Sequence, residues 1–174
     1  MSQHECNQDD RWVRSVVEQY EGPLVRYAFH IVGDLDRARD VVQDTFMRFC
    51  RAERRQLDDH VAEWLFTVCR NRALDVRRKE KRMKTITADQ AAAQQSREAG
   101  QAQTVEQRDS AGRIQQLLLK LTENQQEVIR LKFQNDLSYR EISGITGLSI
   151  SNVGYLIHTA IQKIRAEIAA DSGT

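Results

Sequence analysis

The densest concentration of charge in this sequence lies between Arg70 and Lys84. Eight of these side chains are basic and two, Asp75 and Glu80, are acidic, so the segment carries a formal net charge of +6. The whole chain carries +1, which leaves −5 for the other residues. A helix dipole attracts cations only within the last turn, so helix capping does not account for so many. The pattern favours contact with a polyanion such as a nucleic acid.

A second pattern, between Tyr139 and Leu156, is typical of a helix-turn-helix. Ser138 and Glu141 have the spacing of a capping box, and Gly147 suits the left-handed residue that ends a helix. In readers of duplex DNA the second helix enters the major groove. Here that helix would present Ser151, Asn152, Tyr155, His158 and Thr159. An ordinary helical hairpin shares this pattern, so both interpretations stand at this point.

Signals of catalysis or metal binding are weak. The four histidines lie in unrelated contexts, and neither a glycine-rich phosphate loop nor a Gly-x-Ser-x-Gly elbow occurs. The three cysteines, Cys6, Cys50 and Cys69, have no Cys-x-x-Cys spacing. We expect Cys50 and Cys69 to be reduced core residues. We therefore expect no catalytic residue, no metal site and no cofactor.

The composition indicates a helical protein. The 174 residues include one proline, eight glycines and 6% aromatics, whereas β-sandwiches and barrels need frequent turn residues and aromatic or β-branched runs. No apolar run approaches the 18 residues of a membrane span, and the polar N-terminus is unlike a secretory signal. We expect a cytoplasmic protein without a membrane span.

Large apolar side chains nearly vanish between Ile86 and Ile114. Such a stretch cannot bury enough surface to offset its ordering entropy, which predicts a flexible linker at 85–112. The linker separates two modules, 10–84 and 113–170, each small enough to require a compact helical bundle. The predicted fold class is therefore all-α, with two small helical bundles and a helix-turn-helix in the second.

Three helices are predicted in the first module. The first spans 11–32 with a break at Gly22-Pro23, and the second follows the N-cap Asp34. The third begins near Val61 and continues into the basic run. The side chains expected inside are Leu35, Ala38, Val41, Val42, Phe46 and Phe49 from the second helix, and Trp64, Leu65, Val68 and Cys69 from the third.

In the second module Thr122 and Gln125 have capping-box spacing, ahead of an apolar face. That face comprises Val128, Ile129 and Phe133. The last helix follows Ser149 and carries the apolar residues Val153, Leu156 or Ile157, Ala160, Ile161, Ile164 and Ile168.

Two parts of the chain resemble bacterial sigma-70 factors. Residues 40–46 (Asp-Val-Val-Gln-Asp-Thr-Phe) and 64–71 (Trp-Leu-Phe-Thr-Val-Cys-Arg-Asn), followed by Asp75 and Arg77-Arg78, are similar to region 2. Residues 121–131, 137–142 and 147–149 are similar to region 4. A polar linker without a region 3 domain is typical of the extracytoplasmic-function (group IV) class. The resemblance covers about four-fifths of the chain.

The resemblance implies a subunit that binds core RNA polymerase and directs promoter recognition. Asp40, Gln43 and Asp44 would dock on the clamp helices of the β′ subunit, and the β flap is a second implied contact on the core enzyme. Asn71, with the loop Glu53–His60, would capture a flipped base of the −10 element, while Arg70, Arg77 and Arg78 hold the opened strand. Lys132, Ser151, Asn152, Tyr155, His158 and Thr159 would contact −35 DNA. An anti-sigma factor is a further implied partner.

The last helix departs from the family pattern. Members usually carry Lys or Arg where this chain has Gly154, Leu156, Thr159 and Ile161. Either polar groups make the −35 contact, or this face binds a protein. Two other functions stay open: a stand-alone helix-turn-helix regulator, and a sigma-like adaptor that binds polymerase without reading promoters. An enzyme is not expected.

Overall fold

The computed structural model describes residues 3–52, 57, 60–87 and 116–172. Every regular element within these ranges is helical: α1 (Gln3–Val32), α2 (Leu35–Phe49), α3 (Val61–Thr87), α4 (Glu123–Phe133), α5 (Tyr139–Thr146) and α6 (Ile150–Ser172), with one helical turn at 116–119. The chain divides into two compact units, Met1–Glu98 and Ala99–Thr174. The all-α prediction is confirmed. The predicted linker at 85–112 falls almost entirely outside the described residues.

In the first unit each of the three helices contacts the other two. Aromatic rings hold the centre: Phe49 lies between Trp12 and Trp64, with ring centroids 5.0 and 6.1 Å away, and Tyr27 meets Phe66 edge-on at 5.3 Å. Offset and edge-on pairs of this kind contribute beyond the area they bury.

The predicted break in α1 is wrong, since one helix runs through Pro23. The buried side chains of Val16, Leu24, Tyr27 and Ala28 form a single helical stripe that crosses the proline. A proline inside a helix costs about 3 kcal/mol. Each large apolar side chain buried against α2 and α3 returns about 1.5–3 kcal/mol, so packing keeps the helix continuous.

The start of α2 is as predicted. The carboxylate of Asp34 accepts a hydrogen bond from the backbone N–H of Arg37 at 2.9 Å. Leu35, expected inside, is 40% exposed, and Phe46 is only half-buried. Thr45 is buried instead, because its hydroxyl donates to the Val41 carbonyl at 2.8 Å and so needs no water.

The prediction for the cysteines is half right. Cys69 is fully buried, and this burial raises the pKa of its thiol to about 12 against the opposing effect of a hydrogen bond with Thr45. Cys50 is exposed, so its placement in the core was wrong. It is the residue that ends α2, one position past the buried Phe49, and it turns toward solvent.

In the second unit the predicted caps of α4 and α5 are both present. Thr122 and Gln125 form a reciprocal capping box at the start of α4, and Ser138 and Glu141 form another at the start of α5. Gly147 ends α5 in the left-handed region with φ of 75°. These local rules fix the helix-turn-helix.

The core of this unit is formed by three helices in mutual contact. Its fully buried members include Val128, Leu131, Ile142, Val153 and Ala160. Ile157, rather than Leu156, is the buried member of that pair. Phe133, expected on the apolar face of α4, is 61% exposed. It is the last residue of its helix, and the buried side chains of Leu131 and Leu137 fill the core there.

The two left-handed glycines provide a test of the fold. Gly33 and Gly147 have φ of 76° and 75°, and an added Cβ would meet nothing within 4 Å at either one. Alanine there should cost about 1–2 kcal/mol through backbone strain alone. Both tryptophans lie in the first unit, so their fluorescence during denaturant unfolding should detect the loss of stability caused by Gly33→Ala. The loss caused by Gly147→Ala in the second unit should be invisible to fluorescence and should be detected by circular dichroism.

Gly22→Ala is the matched control for this test. Gly22 lies inside α1, where an added Cβ would meet only the end of the Arg26 side chain at 3.4 Å. Alanine should stabilise this helix by about 0.5–1 kcal/mol. An equal fluorescence shift for Gly33→Ala and Gly147→Ala would contradict independent unfolding of the two units.

Candidate nucleic-acid interface

The basic run extends along the free side of α3. The helix is anchored by Leu65, Phe66, Cys69 and Ala73, all of them buried. The four predicted residues form two pairs seven positions apart, so they share a helix face over about 10.5 Å. That face comprises Arg70, Asn71, Arg77 and Arg78. Asn71 and Arg78 are exposed, whereas Arg70 and Arg77 are partly buried at its edge.

The acidic member Glu80 of the run turns away from this face. It forms an ion pair with Arg37 of α2. The other acid, Asp75, pairs with Arg78 at 3.2 Å in an exposed position. Arg72 also leaves the free face, since its Nε donates to Asp44 of α2 at 2.8 Å. The exposed cations of the run therefore lie about two to three helical turns beyond Arg70.

The predicted docking residues lie on one face of α2. Asp40 and Gln43 are exposed, and their spacing with Asp44 keeps the three together. Asp44 is half-buried in its ion pair with Arg72. This second role was missed because the partners are 28 positions apart and lie on different helices.

A groove of about 950 Å³ between α1 and α2 adjoins this face. Its lining combines apolar side chains such as Val25 and Phe46 with Arg26 and Arg39, and it includes Gln43. Met47, also in the lining, is 49% exposed. Sequence reasoning did not identify this groove, because it depends on the packing of two helices.

The predicted base pocket can be described only in part. Of the loop Glu53–His60, only Leu57 and His60 belong to the described residues; Leu57 is buried and His60 is exposed. The expectation that this loop joins Asn71 concerns residues outside the described ranges.

The outer face of α6 carries four of the predicted −35 residues. Ser151, Asn152, Tyr155 and His158 are exposed. The hydroxyl of Ser149 accepts a hydrogen bond from the backbone N–H of Asn152 at 3.2 Å and so caps this helix. The arrangement presents neutral hydrogen-bonding groups and an aromatic ring at the end of α6 that would face a DNA groove.

Two predicted −35 residues are engaged inside the unit. Lys132 is half-buried, and its ammonium group donates to the Leu137 carbonyl at 3.1 Å. The hydroxyl of Thr159 accepts from Gln125 Nε2 at 3.0 Å and donates to the Tyr155 carbonyl at 2.9 Å. The exposed face of α6 thus brings together Ser151, Asn152, Tyr155 and His158. Lys132 and Thr159 are not part of this face.

Among the described residues of the second unit, Lys120 and Arg130 are also engaged within it. Lys120 pairs with Glu167, and burial lowers the pKa of Arg130, an effect that the charge of Glu127 opposes. Arg130 Nη2 donates to Gln126 at 3.2 Å. Arg140, at the second position of α5, is exposed. Sequence reasoning missed Arg140, although the first helix of a helix-turn-helix is the one that crosses the DNA backbone.

Neither a membrane span nor a metal site is found within the described ranges. No helix there is long and apolar enough to span a bilayer. No group of three or more His, Cys, Asp or Glu side chains there could hold a metal ion.

Comparison with known families agrees with this geometry. The Sigma-70 region 2 family matches residues 16–83, which contain α2 and most of α3. The family Sigma-70, region 4 matches residues 111–164, which contain the helix-turn-helix. The two matches follow one another in the chain and together take in both units.

Curated relatives match over most of their length. The ECF RNA polymerase sigma factor SigM of Bacillus subtilis (strain 168) is 27% identical over 155 residues, which cover 88% of this chain and 93% of that protein. SigW of the same organism is 24% identical over 162 residues, or 88% of this chain and 87% of that protein. SigD of Mycobacterium tuberculosis (strain ATCC 25618 / H37Rv) is 27% identical over 168 residues, which cover 93% of this chain and 79% of that protein.

Two solved structures have a similar fold. CnrH, in complex with the cytosolic domain of CnrY, is 26% identical with a TM-score of 0.61, and the match covers 93% of this chain and 90% of that one. The sigma factor RpoE in complex with the anti-sigma factor NepR, from Bartonella quintana, has a TM-score of 0.67 over 91% and 97% of the two chains. At 22% identity the second likeness shows the fold alone.

Two helical units, one with a cationic helix face and one with a helix-turn-helix, define a two-part DNA-binding protein. With the two region matches and the relatives above, the chain belongs to the extracytoplasmic-function group of the sigma-70 family, sigma factors that direct promoter recognition and transcription initiation.

Asp44 forms an ion pair with Arg72, so substitutions of Asp44 should affect stability more than substitutions of the exposed Asp40. Asp44→Ala should lower the free energy of unfolding of the first unit by about 0.2–1 kcal/mol, the range for a partly exposed pair. Asp44→Lys should cost more, because it places two cations together. Asp40→Lys, at an exposed position, should stay within about 0.5 kcal/mol. Tryptophan fluorescence in denaturant measures all three.

The charge-reversed double variant Asp44→Lys/Arg72→Glu is the control, and it should regain part of the loss. Equal stability of the Asp40→Lys and Asp44→Lys proteins would show that the ion pair does not hold α2 to α3.

Proposed function

We propose that this chain is a dissociable subunit of RNA polymerase whose first unit docks on the core enzyme and opens the −10 element, while its second unit contacts −35 DNA. One observation supports this most strongly: the region 2 match coincides with an exposed cationic helix face, and the region 4 match coincides with a capped helix-turn-helix. The protein acts as a binding subunit without a catalytic step of its own, in the cytoplasm.

Core docking is assigned to the outer face of α2. Asp40 and Gln43 are available there to the β′ clamp helices, since both are exposed. Asp44 contributes at the edge of the face and also holds α2 against α3 through Arg72. Docking thereby presents the basic face of α3 in a fixed direction relative to the core enzyme.

Opening of the −10 element is assigned to α3. The exposed amide of Asn71 can hydrogen-bond the edge of an extruded base, and Arg70, Arg77 and Arg78 can hold the backbone of the opened strand. Capture of the base offsets part of the unstacking cost, which is a few kcal/mol. Arg78 is already paired with Asp75, so a phosphate of the opened strand competes with Asp75 for the guanidinium group.

Contact with the −35 duplex is assigned to α6 and the start of α5. Ser151, Asn152, Tyr155 and His158 face the base edges, and Arg140 is placed to meet a phosphate. Lys132 reaches DNA only if it gives up the Leu137 carbonyl, and Thr159 acts by holding α6 in place. The β flap of the core enzyme is a further proposed contact of the chain.

The two DNA contacts gain strength from docking. Once the chain is bound to the core enzyme, each contact forms intramolecularly at a high effective concentration, so neither needs to be strong alone. The structures of CnrH and RpoE were determined with CnrY and the anti-sigma factor NepR. We include an anti-sigma partner for this chain in the proposal on that basis.

The two other functions receive less support. A stand-alone helix-turn-helix regulator has no use for the first unit, which carries the region 2 match and the cationic face. An adaptor that does not read promoters has no use for Asn71 and Arg78 on the free side of α3. Transcription by reconstituted polymerase separates all three functions.

The reconstituted enzyme provides the main test. Core polymerase with the wild-type chain should give transcripts with defined start sites, detected by run-off transcription and 5′-end sequencing. The double variant Asp40→Lys/Gln43→Lys should lose both core binding in a titration and these transcripts, because its charges oppose docking. Glu18→Lys, an exposed change on α1, is the matched control and should behave as wild type.

Three outcomes would count against the proposal. If the wild-type chain does not bind core polymerase in the titration, it is not a sigma factor. Binding without defined starts would indicate the adaptor, and nanomolar sequence-specific binding by the chain alone would indicate the regulator. Persistent core binding by the double variant would move the docking surface away from Asp40 and Gln43.

Asn71→Ala tests the assignment of the −10 contact. The loss of one base contact should weaken open-complex formation by about 1–3 kcal/mol, measured by permanganate reactivity of the unpaired strand. Core binding should be unchanged, since Asn71 lies on another helix from Asp40. Arg78→Ala is the companion variant: it should weaken opening on all promoters alike and reduce its salt dependence. Unchanged opening by Asn71→Ala would remove this residue from the site.

A further inference from the structure

The first three turns of α6 carry no formal charge. Between Ile150 and Ile161 there is no Lys, Arg, Asp or Glu. A helix that binds DNA through phosphate contacts needs cations within reach, and each neutralised phosphate makes binding more salt-dependent. The outer face of α6 can therefore add little phosphate binding, and whatever selectivity it has must come from neutral contacts to base edges.

Tyr155 is the dominant feature of this neutral face. It is 65% exposed, and it lies one helical turn from Ser151 and from His158, which are also exposed. The opposite side of the helix carries Val153 and Ile157, both buried. The ring of Tyr155 thus projects away from the core at the level where a recognition helix meets the bases.

The backbone beneath Tyr155 is held firmly. Its carbonyl accepts the hydrogen bond of the Thr159 hydroxyl at 2.9 Å, and that hydroxyl is bound in turn by Gln125 of α4 at 3.0 Å. On the adjacent position Gly154 lies against the ring of Tyr139, with 3.6 Å from an added Cβ to the nearest ring atom. The segment that carries Tyr155 is therefore tied to both other helices of the unit.

An exposed aromatic ring in a major groove has one apolar partner among the bases. The C5-methyl group of thymine is the apolar group there, and aromatic side chains contact it. We propose that Tyr155 is a specificity-determining residue that recognises thymine in the −35 duplex through this methyl group. The inference rests on the proposed function, since it assumes that α6 faces −35 DNA.

Replacement of thymine by deoxyuridine tests this directly, because it removes the methyl group and leaves base pairing intact. Polymerase reconstituted with the full chain defines the −35 element through mapped start sites. Each thymine of that element, on both strands, is then replaced singly, and promoter binding is measured by competition. At one or two positions deoxyuridine should weaken binding about fourfold, the effect of leaving one methyl group unburied. Deoxyuridine in the spacer is the DNA control.

The protein variants assign the effect to the ring. Tyr155→Ala should lose the sensitivity to deoxyuridine, so the two changes are not additive. Tyr155→Phe keeps the ring and should keep the sensitivity, and Ser151→Ala should keep it as well. Tyr155 is largely exposed, so these variants should fold as wild type, which circular dichroism checks.

Several results would overturn the inference. These are a −35 element without thymine, a wild-type enzyme indifferent to deoxyuridine at every −35 thymine, and a Tyr155→Ala enzyme that remains sensitive. Loss of sensitivity in Tyr155→Phe would assign the contact to the hydroxyl and also overturn it. Defined start sites with any of these results would leave the proposed function standing, whereas the absence of defined starts would overturn both.

Discussion

The packing of α3 against α1 and α2 is the constraint on which the first unit depends. Leu65, Phe66, Cys69 and Ala73 are buried along one side of the helix, so its other side must face outward. The cations of the outward side owe their direction mainly to this apolar contact. The ion pairs of α2 with Arg72 and Glu80 remove one cation and one acid from the outward side. Apolar burial thus determines where the electrostatic surface lies, and the polar contacts refine it.

Under the proposed function, the two units would meet DNA by different physical means. In the first, exposed cations follow an anchored helix, which suits the flexible backbone of an opened strand. In the second, the cations Lys120 and Lys132 are engaged within the unit and Arg130 is half-buried, and the first three turns of α6 carry neutral side chains. A duplex whose bases stay paired presents a fixed pattern of groups that such a surface can read. The uneven charge along the sequence corresponds to this difference in substrate.

Local rules predicted well wherever the determining atoms are close in sequence. Asp34, Thr122 and Ser138 cap helices as expected, and Gly147 turns the chain between α5 and α6. The wrong predictions all involve partners far apart in sequence. Pro23 remains inside a helix because Val16, Leu24 and Tyr27 of that helix are buried in the core, and the ion pair of Asp44 depends on Arg72 of another helix. Cys50 and Phe133 stand at helix ends, where periodicity does not reveal whether a neighbouring helix still covers the position. Heptad spacing alone places the four residues predicted for α3 on one helix face, and their role in DNA binding stays a prediction.

Gln125 takes part both in the N-terminal cap of α4 and in the contact between α4 and α6. Its side-chain oxygen accepts from the backbone of Thr122 at the start of α4, while its amide nitrogen donates to Thr159 near the middle of α6. These hydrogen bonds hold the start of α4 against the middle of α6 in the unbound protein. Under the proposed function, a surface that is already ordered would lose less conformational entropy on binding a duplex. For a surface with few charges, this smaller entropic cost would offset part of the missing attraction that lysines and arginines usually supply.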